Sequence, residues 1–396
     1  MQRALAISAL ATGLSTLNGI SWADDTRAVR GLVEQLGAKC LVDDDSIRIS
    51  PLERISTNAT KLHVGESGLA LRMFSSIITL FNRQIELNGH GSLEKRPVQP
   101  IIEALQKTGA NIQSTNSGLP LHISGPIQSS HLKLDGSFSS QIISGLLITL
   151  PLLNHNSKLI VDNPTSIPYL QMTLDVMSHF GVYISHQDFQ QFQISGNQQY
   201  HGQNYNIEGD WSGMANHVVG AAISGSVTLR GLQQNSAQAD RKIIEAVKQF
   251  GADIKYTDDT IFIKKDGKRA FNFDATHCPD IFPPLVVLGC ASEGDCTLTG
   301  TDRLRHKESD RLTVLVDVFE KLGAHFTVKP NQMIIHGTGK LDGGDVHSHH
   351  DHRIAMAVAI ASCISKSPIK IDQANAVNKS YPEFFNDVEN VQVLAE

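Results

Sequence analysis

A pattern recurring every 70 to 72 residues limits this chain more than any other feature. Five segments read as an amphipathic helix that closes on glycine and enters a strand: "LVEQLGAKCLV", "IIEALQKTGANI", "TLDVMSHFGVYI", "IIEAVKQFGADI" and "VLVDVFEKLGAHF". Their glycines, Gly37, Gly109, Gly181, Gly251 and Gly323, are 72, 72, 70 and 72 residues apart. Glycine suits a helix end because the terminating residue often turns left-handed, which costs it no steric strain. A polar turn and a second alternating run follow each one ("SIRIS", "PLHISG", "FQISG", "IFIKK", "MIIHG"), which predicts a hairpin.

Between these units lie six helices that are apolar nearly all round: "RALAISALATG", "LALRMFSSIITLF", "SQIISGLLITLPLL", "ANHVVGAAISG", "FPPLVVLGCASEG" and "HRIAMAVAIASC". Such helices belong in a domain centre. A short strand and a polar loop follow each, and Asp25, Pro97, Tyr169, Asp240, Asp310 and Pro382 mark the same stage of successive copies. At 396 residues the chain exceeds one ordinary core. Six copies therefore predict an α/β protein of two domains, three repeats each, with buried helices inside and sheets outside.

The first 26 residues, "MQRALAISALATGLSTLNGISWADDT", have the outline of a secretory leader. They also form the first copy of the repeat, so the segment is expected to be a helix of the folded protein. Five cysteines without CxxC spacing predict free thiols in a reducing compartment, against secretion. No apolar run is long enough for a bilayer, and a net charge of −6 speaks against a general nucleic-acid binder.

Unusual charges gather in the loops. "RLRHKESDRLTVL" packs Arg303, Arg305, Lys307 and Arg311 around Glu308 and Asp310; "GSLEKRPVQP" carries Lys95 and Arg96; "SHHDHRIAM" places Asp351, His352 and Arg353 at a helix start; "VNKSYPEFF" offers Lys379. Each alone suits a solvated surface. Repeated at one structural stage, they are expected to converge on a cleft for phosphates and carboxylates, which guanidinium binds bidentately. In "LDGSFSSQIISGLL", Ser139, Ser140 and Gln141 stand where a buried helix begins, which suits either a phosphate or an ordinary cap. His347, His349, His350 and His352 lack a recognised ligand spacing, so no metal is assigned.

In order, "EKRP", "DGSFSSQ", "SIPY", "EGDWS", "CPD", "LRHKESDR", "DHRIAMA" and "KSYPEFF" resemble the 5-enolpyruvylshikimate-3-phosphate synthase family over nearly the whole chain. The resemblance implies a two-domain inside-out α/β barrel of six βαβαββ repeats, with domains at 1–207 and 208–396 and substrates bound between them. It also implies transfer of the enolpyruvyl group of phosphoenolpyruvate to the 5-hydroxyl of shikimate 3-phosphate, with release of phosphate and without cofactor or metal. A monomer in the cytoplasm, acting on small molecules and on neither nucleic acid nor membrane, is the expectation.

Carried over residue by residue, Arg3, Ser139, Ser140, Gln141, Ser166, Tyr169, Asp280 and Lys307 match the shikimate 3-phosphate site. Gly68, Arg96, Gln141, Arg311, Arg353 and Lys379 match the phosphoenolpyruvate site. Asp280 resembles the carboxylate that takes the hydroxyl proton, Glu308 the acid–base group at the methylene, and His352 lies beside it. An addition–elimination sequence calls for two carboxylates in separate roles.

The sequence departs from the family in three places. Glu66 and Leu69 replace the Asn and Thr of a "GNxGT" loop, Met73 replaces a common Pro, and a carboxylate at Glu66 would weaken an anion site unless a cation offsets it. Family members also carry a strand and a Ser-Lys-Ser motif ahead of the segment that here begins Met1-Gln2-Arg3. The natural enzyme is accordingly expected to begin upstream, the chain alone to turn over poorly, and a sheet edge in the second domain to lack its partner. Two other readings compete. UDP-N-acetylglucosamine enolpyruvyl transferase is disfavoured by the absence of Cys from "GHGSLEKRP". A binding-only homologue would keep the fold without turnover.

Overall fold

The computed structural model describes residues 1–53, 57–115, 117–257, 260–305 and 307–393. By its internal packing the chain divides into two units, Met1–Ile207 and Glu208–Glu396.

In the first unit the apolar segments form the helices Gln2–Leu10, Gly68–Ile77 and Ser140–Thr149. Every residue from Arg3 to Leu10 is buried, so the leader-like segment is a core helix of this unit. Gly145 lets two of these helices touch: a Cβ there would lie 2.9 Å from the Met73 carbonyl oxygen. The amphipathic helices are Asp24–Leu36, Gln99–Lys107 and Ile167–His179. Asp24–Leu36 buries Thr26, Val29, Leu32, Val33 and Leu36, one face at helical spacing. Gly37 ends it at φ 117°, with its N–H donated to the Glu34 carbonyl at 3.0 Å, and the four other repeat glycines also have positive φ.

Three four-stranded sheets flank these helices with one shared topology. Lys61–His63 pairs parallel with Ile85–Asn88, which runs antiparallel to Gly118–Ser124, itself paired with Asn111–Thr115. His131–Asp135, Ser157–Asp162, Gln191–Ile194 and Ser185–Gln187 repeat that order. In the remaining sheet the parallel strand comes from the far end of the unit: Asn204–Asn206 lies against Ser15–Asn18. Strands whose residues alternate between buried and open keep their apolar side toward the helices.

The second unit repeats the scheme with buried helices Trp211–Ser224, Phe282–Ala291 and His352–Ala361. Its amphipathic helices are Ile243–Phe250 and Arg311–Lys321. One complete sheet orders Asn272–Asp274, Glu293–Thr299, Gln332–Thr338 and Phe326–Lys329. Ser226–Arg230, Thr260–Lys264 and Asp253–Tyr256 form three strands, and Gly344–His347 with Ile369–Asp372 form two. Among the described residues Ser226–Arg230 is paired along one edge only.

Four of the six buried helices begin on a side-chain cap. Ser67, Ser139, Asp210 and Asp351 each accept an N–H of the first turn. The polar loops thus deliver hydroxyls and carboxylates to helix N-termini, where charged side chains also collect.

Candidate active site

In the second unit Arg311 is the hub. It opens the Arg311–Lys321 helix and its side chain is fully buried. Its Nε and Nη2 donate to the two Asp351 oxygens at 2.9 and 3.2 Å, Nη1 donates to Asp280 at 3.1 Å, and Nη2 donates to Glu308 at 2.6 Å. Asp280 sits in the turn that leads into Phe282–Ala291, and also meets Lys307 Nζ at 3.2 Å and Arg353 Nε at 3.5 Å. Arg353 donates to the Asp280 carbonyl at 3.3 Å and to Ser212 Oγ at 3.1 Å. Lys379 Nζ lies 3.8 Å from Glu308. All three buried helices of this unit therefore send their N-terminal ends to one cluster.

Burial and charge oppose each other here. Burial alone would raise the Asp280 carboxyl, but Arg353, Lys307 and Arg311 hold it far below the usual carboxylate range. Burial likewise favours neutral Asp351, and Arg311 reverses that. Burial lowers Lys307, with Asp280 opposing. Burial would lower Arg311 too, yet Asp351, Glu308 and Asp280 raise it. His352 is pushed down to about 3, chiefly by burial and then by Arg353, so its ring is neutral at pH 7. Four cations, Lys307, Arg311, Arg353 and Lys379, are ion-paired with three carboxylates here, and Asp240 and Asp210 also act on Arg353.

In the first unit Arg3 reaches from its helix to Thr173 Oγ1 at 2.8 Å and the Tyr169 carbonyl at 3.3 Å. Burial lowers it to about 10, with Tyr169 acting the other way. Ser139 caps Ser140–Thr149, its Oγ accepting the Gln141 N–H at 3.2 Å. Ser166 is buried and holds φ 52°, an unusual conformation for serine, just before Ile167–His179. Gln141 Oε1 accepts Arg72 Nη1 at 2.9 Å, and the same nitrogen donates to the Gly68 carbonyl at 3.1 Å. A Cβ on Gly68 would lie 2.5 Å from Arg96 Nη1 and 2.9 Å from Arg72 Nη1, so two buried guanidinium groups press on this glycine. Glu66 turns to the neighbouring loop, where it accepts the Ser92 N–H at 3.2 Å.

The model of the family described as EPSP synthase (3-phosphoshikimate 1-carboxyvinyltransferase) matches residues 1–388. The chain belongs to the EPSP synthase family. A 3-phosphoshikimate 1-carboxyvinyltransferase of Clostridium novyi (strain NT) is 34% identical over 402 residues, covering 98% of this chain and 92% of that protein. The one from Clostridium botulinum (strain Alaska E43 / Type E3) is 36% identical over 394 residues, covering 97% and 91%. A solved EPSP synthase from Acinetobacter baumannii superposes with a TM-score of 0.82 at 26% identity, over 98% of this chain and 92% of that one. The resemblance read from the motifs is thereby borne out, as is the α/β architecture of the EPSP synthase fold.

Within this EPSP synthase family member, Lys307, Arg311, Arg353, Lys379, Asp280, Glu308 and His352 come together in the second unit. Arg3 joins Tyr169, and Gly68 joins Arg96 and, through Arg72, Gln141 in the first. Lys95 and Arg305 face solvent, and His306 lies outside the described residues. The motif reading missed Arg72, Ser212 and the positioning role of Asp351, although Arg72 lies in the apolar segment "LALRMFSSIITLF" and Ser212 lies in "EGDWS". His347 meets His349 and His350 edge-on, with ring centroids at 5.0 and 5.7 Å, but no three His, Cys, Asp or Glu among the described residues are gathered to hold a metal ion. No described helix is long and apolar enough to cross a membrane.

Proposed function

We propose that this chain transfers the enolpyruvyl group of phosphoenolpyruvate to the 5-hydroxyl of shikimate 3-phosphate and releases inorganic phosphate. The observation that carries the reading, beside family membership, is the Arg311 cluster, in which cations and the ionised Asp280 and Asp351 share one desolvated place with Glu308. In this proposal the units Met1–Ile207 and Glu208–Glu396 are the two catalytic domains, and the enzyme works as a cytoplasmic monomer without cofactor.

Arg3, Ser139, Ser140, Gln141, Ser166, Tyr169 and Lys307 hold shikimate 3-phosphate. Gly68, Arg96, Gln141, Arg311, Arg353 and Lys379 receive phosphoenolpyruvate. The acceptor oxygen attacks C2 of the donor while its proton passes to Asp280, and Glu308, which enters this step protonated, gives its proton to the methylene carbon. The tetrahedral adduct then loses a methyl proton and its C–O bond to phosphate, which restores the double bond. Before substrate binds, Asp280 is a weak base because three cations face it. Ligand oxyanions that draw Lys307, Arg311 and Arg353 toward themselves would raise its basicity at the moment it is needed. Neutral His352 adds no charge to oppose the proton on Glu308.

The test is product analysis. Incubation with both substrates should yield 5-enolpyruvylshikimate 3-phosphate and equimolar phosphate, with no reaction when UDP-N-acetylglucosamine replaces the acceptor. Binding of both substrates without product would leave the binding-only reading.

A further inference from the structure

The three buried helices of the second unit end where an open pocket of about 360 Å³ is found. Ser224, Ala291 and Cys363 mark the three helix ends in its wall. Four lysines, Lys265, Lys268, Lys340 and Lys366, line the same pocket in a chain of net charge −6. A helix of ten residues spans about 15 Å, so this pocket lies that far from the Arg311 cluster at the opposite helix ends.

These lysines are not required as helix caps. Backbone N–H groups already serve the carbonyls there: Lys265 donates to Gly225, Gly339 to Cys290 and Leu341 to Ile364, at 2.8, 3.0 and 2.9 Å. The first unit supplies an internal comparison. At the corresponding end of its helices a pocket of about 310 Å³ is lined, among the described residues, by Leu10, Leu152, Glu53 and amide side chains, with no lysine or arginine among them.

Charge balance points the same way. Lys366 pairs with Asp342 at 2.8 Å and Lys268 stands 4.0 Å from Glu293, both at exposed, exchangeable positions. Among the described residues no ion pair engages Lys265 or Lys340. We infer that this pocket is a second anion site, and that it takes a small polyanion bearing two phosphate or carboxylate groups. Compact ammonium groups on flexible stems fit such ligands as point charges, and the volume lies in the range of small-molecule sites.

Cys363 is the exposed cysteine of the chain and lines this pocket, so its thiol reports occupancy locally. The experiment measures alkylation of Cys363 by N-ethylmaleimide, read by peptide mass spectrometry at constant ionic strength, with and without inorganic pyrophosphate. Tricarballylate in a parallel arm distinguishes a carboxylate ligand from a phosphate one. One or both anions should slow labelling by about threefold or more, as two-thirds occupancy requires. Lys265→Ala/Lys340→Ala should abolish that protection, whereas Lys264→Ala/Lys370→Ala, outside the pocket, should keep it. Should the first pair melt early, Lys340→Gln alone should weaken protection. No slowing by either anion in the wild type, or equal slowing in the pocket variants, overturns the proposal.

Discussion

Arg311 and Asp351 stand 40 residues apart in sequence and meet as a fully buried pair, through two N–H···O bonds of 2.9 and 3.2 Å. The same carboxylate caps the His352–Ala361 helix by accepting the Arg353 N–H at 3.0 Å, and it accepts Ser309 Oγ at 3.0 Å. One residue thus fixes the hub arginine and the helix end that presents His352 and Arg353.

Removing it should be costly. Asp351→Ala leaves Arg311 short of one partner in a buried place, which typically costs about 3–5 kcal/mol. Asp351→Asn keeps an oxygen for the cap and should cost less. Urea unfolding of both variants checks the order, and equal, small losses would show that the pair contributes little.

Gly68→Ala tests the guanidinium contacts. The added methyl would displace the flexible ends of Arg96 and Arg72 and leave the backbone in place, since the atoms it meets are side-chain nitrogens. The expected outcome is a near-normal melting temperature with KM for phosphoenolpyruvate raised about tenfold, equivalent to weakening one charge-assisted bond by about 1.4 kcal/mol. Steady-state kinetics at saturating acceptor gives the answer.

The pH dependence of stability carries the mark of His352. Its folded value, about 3, lies below the ordinary 6.5, so between these the unfolded chain binds a proton that the folded one refuses. Its contribution is fully present above pH 6.5 and is lost as pH falls from there toward 3. The Asp280 carboxyl, also lowered, adds its own loss only below its ordinary 3.8. His352→Gln should flatten the stability profile between pH 6.5 and 4.5 by up to about 1.4 kcal/mol per unit. His217, lowered chiefly by burial, remains as a shared background in both proteins.

Much of this arrangement was legible in the sequence because it is periodic. Five glycines at near-constant spacing announced five helix ends, and all five have positive φ. Uniform apolarity announced the core helices, including the leader-like Gln2–Leu10. Pairings that join distant copies carry no period and stayed hidden. Asn204–Asn206 closes on Ser15–Asn18 across the whole first unit, and Arg72 reaches Gln141 from another repeat. Ser139 read equally as cap or ligand, and it caps in this structure. The lysine-lined pocket was invisible because its residues come from five separate segments, each unremarkable alone.

The most direct test of the central claim is phosphate release from phosphoenolpyruvate, dependent on shikimate 3-phosphate, for the wild type, Asp280→Asn and Glu308→Gln. Each substitution keeps shape while removing an acid–base oxygen, so release should fall by about two to four orders of magnitude with substrate binding largely retained. Acceptor-dependent release that either variant sustains at the wild-type rate would contradict the role given to that carboxylate. Release that ignores the acceptor would contradict the account as a whole.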